Sequence, residues 1–172
     1  IIKNFLYKLN TTFLLCCKTI VHLMNLNFNS AGTLHENIEL TFEEFQRYFG
    51  TDPHRIEKIN AAVRFFRIFS SCGCKAVYIG GSFVSNKNNP EDIDICFDVT
   101  DIDKEKLNVA FPGIIGPNCH NEIGKIHRDF KCQIFTFEKG DEHLFKSLQW
   151  DRYDFPKGMV KINFTNGFHH DN

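Results

Sequence analysis

Apolar positions recur at three- and four-residue steps over two stretches near the middle of the chain and alternate with polar ones further on. In residues 41–50, Phe42, Phe45 and Phe49 fall on one side of a helix, Thr41 and Glu44 form a capping box, and Gly50 supplies the stop. A second helix begins at Thr51 or Asp52 with Pro53 in its first turn and runs to about Ser71. Its apolar stripe is Ile56, Ile59, Val63, Phe66 and Phe69 or Ser70, which leaves Arg55, Lys58, Arg64 and Arg67 on polar flanks. After a turn at Cys72-Gly73-Cys74, residues 76–79 form a short apolar run that ends in Gly80-Gly81-Ser82, as a buried strand does before a sharp bend. Asp92 and Asp94 then alternate with Ile93, Ile95 and Phe97, so a strand there presents an acidic face and an apolar face.

Later periodicity is weaker. Residues 101–110 suit a helix and residues 111–121, with Pro112, Gly113, Gly116 and Pro117, a loop or irregular crossover. Residues 125–137 read as one strand covered on both faces, and residues 141–153 as a helix halted by Pro156. Residues 158–164 alternate and predict a last strand at a sheet edge, while residues 25–40 read as an extended lead-in. This mixture predicts an α+β (α/β) fold, a small mixed β-sheet with helices packed on one side.

Bulk properties narrow the class. A chain of 172 residues with 42% hydrophobic content can bury one sizeable core, which predicts a single domain over residues 24–164. Residues 1–23 hold Lys3, Lys8 and Lys18, no acid and no methionine before Met24; they are expected to be a non-native or disordered extension, and residues 165–172 a disordered tail. No run there reaches the roughly 18–20 apolar residues of a spanning helix, so no membrane partner is expected. A formal net charge of −1 argues against a strongly basic nucleic-acid surface, although an RNA end stays among the conceivable acceptors. Seven cysteines without metal-ligand spacing or a disulfide framework suit reduced thiols in a cytoplasmic protein. The 19 phenylalanines are core material before they are a stacking surface.

Chemistry concentrates in residues 76–98. A glycine turn brings backbone N–H groups and the Ser82 hydroxyl close to an anion without a Cβ in the way. Two carboxylates on one strand face, Asp92 and Asp94, suit Mg²⁺ (or Mn²⁺), a hard ion that completes its shell with waters and phosphate oxygens. Lys87 is the one cation of the intervening loop and a candidate for neutralising phosphate charge.

With Ile79-Gly80-Gly81-Ser82, nine residues, and Asp92-Ile93-Asp94-Ile95, the chain resembles the polymerase-beta-like nucleotidyltransferase superfamily. Within it the chain is most similar to a group of small, uncharacterised bacterial proteins with a Gly-Ser-Phe-Val-x-x-Lys-x-x-Pro-x-Asp-Ile-Asp loop, present here from Gly81 to Asp94. The resemblance implies a nucleotidyltransferase fold and Mg²⁺-dependent transfer of an NMP from an NTP, such as ATP, to a hydroxyl of a protein, RNA end or small molecule. In that scheme Asp92 and Asp94 are catalytic metal ligands, and Gly80, Gly81, Ser82 and Lys87 bind the nucleotide. The superfamily adds a third carboxylate on a following strand; Gln133 stands at the matching position here and can neither carry charge nor act as a base. Asp129 shares its strand parity but lies about 13 Å away if that segment is extended. The alternative is therefore a catalytically impaired nucleotidyltransferase-fold binding protein, for example a toxin-antitoxin or phage-defence component acting on a protein partner.

Overall fold

The computed structural model describes residues 26–115, 119–150 and 155–164. The expectations for residues 1–23 and for the tail 165–172 lie outside the described residues. The fold is α+β. Strands β1 (Ile38–Leu40), β2 (Ala76–Gly80), β3 (Ile93–Asp98), β4 (Cys132–Phe137) and β5 (Val160–Asn163) form one mixed sheet in the order β1-β5-β2-β3-β4. β1 and β5 are parallel, as are β3 and β4; β2 is antiparallel to both of its neighbours.

Helix α1 (Phe42–Phe49) forms as its sequence dictates: the Thr41 hydroxyl accepts from the Glu44 N–H at 3.1 Å, and the Glu44 carboxylate accepts from the Thr41 N–H at 2.9 Å. Asp52, rather than Thr51, caps α2 (Pro53–Ser71) by accepting from the Arg55 N–H at 2.9 Å. Phe42, Phe45 and Phe49 are all buried as the spacing predicts. The inner face of α2 is rotated from the expected stripe. Ile56 is exposed, whereas Arg55, Lys58 and Phe65 are buried beside Ile59, Ala62, Val63, Phe66 and Phe69. Phe69 stacks on Phe97 of β3 with ring centroids 3.7 Å apart, which fixes the helix across the sheet.

Four helices share one face of the sheet: α1, α2, α3 (Lys104–Ala110) through Leu107, and α4 (Cys119–Phe130) through Ile126. The short α5 (His143–Ser147) is on the opposite face, where Phe145 and Leu148 pack against Cys96, Phe137 and Met159. The expectation of helices on one side thus holds for the main layer only.

Three element predictions are corrected. Residues 125–130 are the end of α4, and β4 starts at Cys132 after a tight turn in which Lys131 takes φ +54°. Asp129 is therefore helical, and its strand parity has no meaning. Of the predicted helix over 141–153, residues 151–153 lie outside the described residues and the rest is the single turn of α5: beyond it, the Gln149 and Trp150 N–H groups bond three residues back to Lys146 and Ser147. Finally, β5 is an inner strand. Its outer neighbour is β1, cut from the segment read as a lead-in, with Glu39 opposite Lys161. Val160 and Ile162 enter the main core while Lys161 faces the other side, which produced the alternation that read as an edge.

Candidate functional site

The sheet register decides what meets Asp94. Its Cα pairs with Gly80 across β2 and with Gln133 across β4, so all three share one face at the end of the sheet where β2 finishes and β3 begins. The chain leaves β2 through Gly81 at φ +68° and enters a single 3-10 turn, Gly81–Val84. A Cβ on Gly81 would lie 1.7 Å from the Asp94 Oδ2, so the carboxylate occupies the space a side chain would fill. Only glycine satisfies both demands, the left-handed backbone and the close approach. Gly80 is limited on its other side, where a Cβ would lie 3.1 Å from the Met159 methyl.

Asp92 precedes β3 and pairs with His127 of α4, Nε2 to Oδ2 3.1 Å. Burial holds the Asp94 carboxyl above the ordinary carboxylate range, and neighbouring Asp92 adds to the effect; Lys157 and then His127 pull the other way. The two aspartates are thus electrostatic neighbours, with Lys157 and His127 close by.

The loop after Gly81 is held from behind. Arg55, 6% exposed, sends Nη1 to the Phe83 carbonyl at 2.7 Å and Nη2 to those of Ser85 and Lys87 at 3.3 and 2.8 Å. Its guanidinium also lies over the Phe83 ring, 5.0 Å from the centroid. The Ser85 hydroxyl donates to the Ser82 carbonyl at 2.6 Å and accepts from the Lys87 N–H at 3.1 Å. At the margins the Asn86 N–H donates to the Gly32 carbonyl at 2.9 Å, and His54 Nε2 lies 3.1 Å from the Pro90 carbonyl. A loop tied at this many points is preorganised and needs little ordering to receive a ligand.

The sequence-predicted residues do not all converge. Gly80, Gly81, Asp92, Asp94 and Gln133 come together, with Ser82 next in the chain. Lys87 is exposed and lines a separate hollow of about 490 Å³ between the loop and the α1–α2 corner, along with Tyr48, Asp52 and Arg55 and without either aspartate. Lys157 and His127 were missed as neighbours of the pair. His127 was legible in principle, because Ile123, Ile126 and Phe130 keep helical spacing around it. Lys157 was not, since only the pairing of β5 with β2 brings it near Asp94. Arg55 was placed on a solvated flank, and its three carbonyl partners are 28 to 32 residues away.

The donor set fits a small divalent ion in chemistry: two carboxylates, one of them with no hydrogen bond to any described residue, and Gln133, whose side chain carries an amide oxygen, in register on the neighbouring strand. Among the described residues no three His, Cys, Asp or Glu side chains converge to hold a metal ion. An ion here would therefore rest on the two aspartates, with waters and ligand oxygens supplying the rest of its shell. No described helix is long and apolar enough to cross a membrane.

Neither the curated proteins nor the solved structures include a match to this chain. A family model does match, over residues 26–163, which takes in all five strands and the loop with its aspartates; the chain belongs to the family of unknown function DUF6932.

Proposed function

We propose that the protein is a nucleotidyltransferase-type enzyme that binds an NTP with Mg²⁺ (or Mn²⁺) and transfers the NMP to a hydroxyl acceptor. The observation that carries this reading is the contact between Gly81 and Asp94. The turn that would cradle phosphates is pressed against the carboxylate that would hold the ion, in a loop fixed from behind by Arg55. Asp92 and Asp94 would hold the ion, which would neutralise phosphate charge and polarise the phosphorus under attack. Gly81 and Ser82 would receive the terminal phosphates, and Lys157, acting on Asp94 from β5's approach, would add positive charge. In-line attack by the acceptor hydroxyl oxygen would form its bond to the α-phosphorus as the bond to the bridging oxygen breaks, pyrophosphate leaving and the hydroxyl proton passing to solvent water. Buried, unpaired Cys72, Cys74, Cys96 and Cys132 accord with a cytoplasmic setting.

A second reading is favoured by one specific observation. Gln133 stands in register beside Asp94, where a third carboxylate would activate the acceptor. A protein lacking that group binds Mg·NTP without turning it over and acts as a nucleotide-sensing partner of another protein, as in a toxin-antitoxin pair.

Melting curves with ATP, GTP, CTP and UTP, with and without Mg²⁺, test the shared part. A ligand at one hundred times its dissociation constant stabilises by about 2.7 kcal/mol, or several degrees for a chain of this length. The gain is expected only with Mg²⁺ and only in the parent, not in an Asp92→Asn, Asp94→Asn double variant. Absence of any shift removes both readings. Release of pyrophosphate from the stabilising nucleotide then separates enzyme from binder.

A further inference from the structure

Lys157 has a second environment. With Gln149, Trp150 and Pro156 on one side and Glu36 and Asn37 on the other, it lines an open hollow of about 180 Å³. The hollow and the aspartate site are joined through three consecutive residues. The Lys157 N–H donates to the Gln149 carbonyl at 2.8 Å; Gly158 is wedged where a Cβ would come within 1.9 Å of the Glu36 carbonyl oxygen; and the Met159 methyl rests against Gly80, at the start of the phosphate turn.

The walls are unusual for a bare surface. Trp150, the only tryptophan, is 50% exposed, so half of a large apolar ring is left in water, where one partner of similar shape would cover it. Around it stand polar groups with capacity unspent. The Asn37 side-chain oxygen accepts from the Met159 N–H at 2.8 Å, which fixes the amide and leaves its NH₂ without a described partner. Glu36 and Gln149 form no side-chain hydrogen bond with another described residue. At about 180 Å³ the space falls below the roughly 300–1,000 Å³ that encloses a whole drug-sized ligand, and suits one flat ring system with the remainder outside.

Resting on the nucleotide reading above, we propose that this hollow is the base pocket of the same site, with the heterocycle stacked on Trp150 and its edge read by Asn37, Glu36 and Gln149. Lys157 lies between base and metal ends, where the phosphates of a bound NTP pass. That assignment makes Trp150 the source of affinity for nucleotide over plain polyphosphate. It also places base selection on residues from two distant parts of the chain, 36–37 and 149–150.

Trp150 reports on its own occupancy. The full chain is titrated with Mg·ATP and with Mg·tripolyphosphate, following tryptophan fluorescence and, separately, heat of binding. Mg·ATP is expected to change the fluorescence, and Mg·tripolyphosphate to bind without doing so. Trp150→Ala should weaken Mg·ATP about tenfold to a hundredfold, the worth of one stacked base, and leave tripolyphosphate affinity unchanged, while Trp150→Phe keeps most of the affinity. If Mg·ATP binds wild type and Trp150→Ala equally, with no fluorescence change, the base pocket is wrong and the nucleotide reading survives. An equal loss for both ligands marks a structural role and also overturns it. If wild type binds neither ligand, the nucleotide reading falls and takes the base pocket with it.

Discussion

Asp94 is a residue held in an environment that opposes its charge. It is half-buried against Gly81 and next to Asp92, no described residue donates a hydrogen bond to it, and among the described residues Lys157 and His127 offset the repulsion. Its folded-state pKa is raised above the unfolded value, so the folded protein holds this proton more tightly than the unfolded chain. The contribution to stability is then fully present below the unfolded value of about 3.9 and is lost as pH rises through the raised folded value. Above that raised value the metal-free protein carries this cost in full. Asp94→Asn is accordingly expected to melt higher than wild type at pH 7 without Mg²⁺, to show a flatter dependence of stability on pH above 4, and to gain nothing from Mg·NTP. A variant less stable than wild type at pH 7 would show that burial does not penalise the charge. This trade of stability for a charged, ready site is common where function requires a group that folding alone would not select. Gly81 shares that logic, since it gives the carboxylate its place at the expense of backbone freedom.

At the scale of elements, the first turn of α2 and the loop after Gly81 behave as one unit joined by Arg55. Three carbonyls in five residues, those of Phe83, Ser85 and Lys87, turn toward one guanidinium, and burial pushes its pKa down although the Asp52 carboxylate, 3.8 Å from Nε, pulls the other way. Hydrogen bonds to a charged group are each worth about 1.5–3 kcal/mol, and carbonyls left unpaired cost more than bonds never made. Arg55→Ala should therefore lose about 3 kcal/mol of stability and most of the Mg·NTP-dependent gain, with Arg55→Lys, which offers a point charge in place of a fork, recovering only part. Chemical denaturation at fixed pH measures it, and a loss under about 1 kcal/mol would show that the loop is held by its other ties. The legibility of the sequence follows the same line. Helices α1 and α2 and strands β2 and β3 were readable because capping, glycine punctuation and apolar period agree over each of them. The end of α4 was not, because residues 125–137 run a helical and a strand pattern together with only Lys131 between them and no glycine or proline to mark the turn. The glycine turn and the aspartates of the site were legible as a local motif, whereas Gln133 was placed beside them only by the resemblance, and its register with Asp94 comes from the sheet. Arg55, Lys157 and Trp150 were not, because hydropathy cannot show that a cation is buried by carbonyls or that a distant strand delivers a lysine.

Across the whole molecule the two faces of the sheet are built to different depths. One is sealed by four helices around fully buried Phe45, Phe65, Phe66, Phe69 and Phe97, with rings in edge and stacked contact. The other carries Asp94 and, among the described residues, is roofed by the five-residue α5, which buries no residue completely and rests on Phe145 against Tyr78 and Phe137, centroids 4.8 and 4.7 Å apart. Strands shared between the faces are stabilised by the thick layer, so they can stay folded while the thin one opens. Native-state hydrogen exchange should show the amides of β2, β3 and β5 exchanging only with global unfolding, and those of α5 through a smaller opening of lower free energy. Phe145→Ala should speed exchange in α5 and leave the strands protected. Phe66→Ala, which empties part of the thick layer at a cost of about 3–5 kcal/mol, should lower protection of every strand together. Exchange of α5 in step with the strands would mean that the molecule opens as one unit. Separate opening has a consequence for function, because Gln149 and Trp150 follow α5 directly. A ligand held between the loop and that segment would then be admitted and released by movement of α5, while β3, the strand that carries Asp94, is held in place by the thick layer behind it.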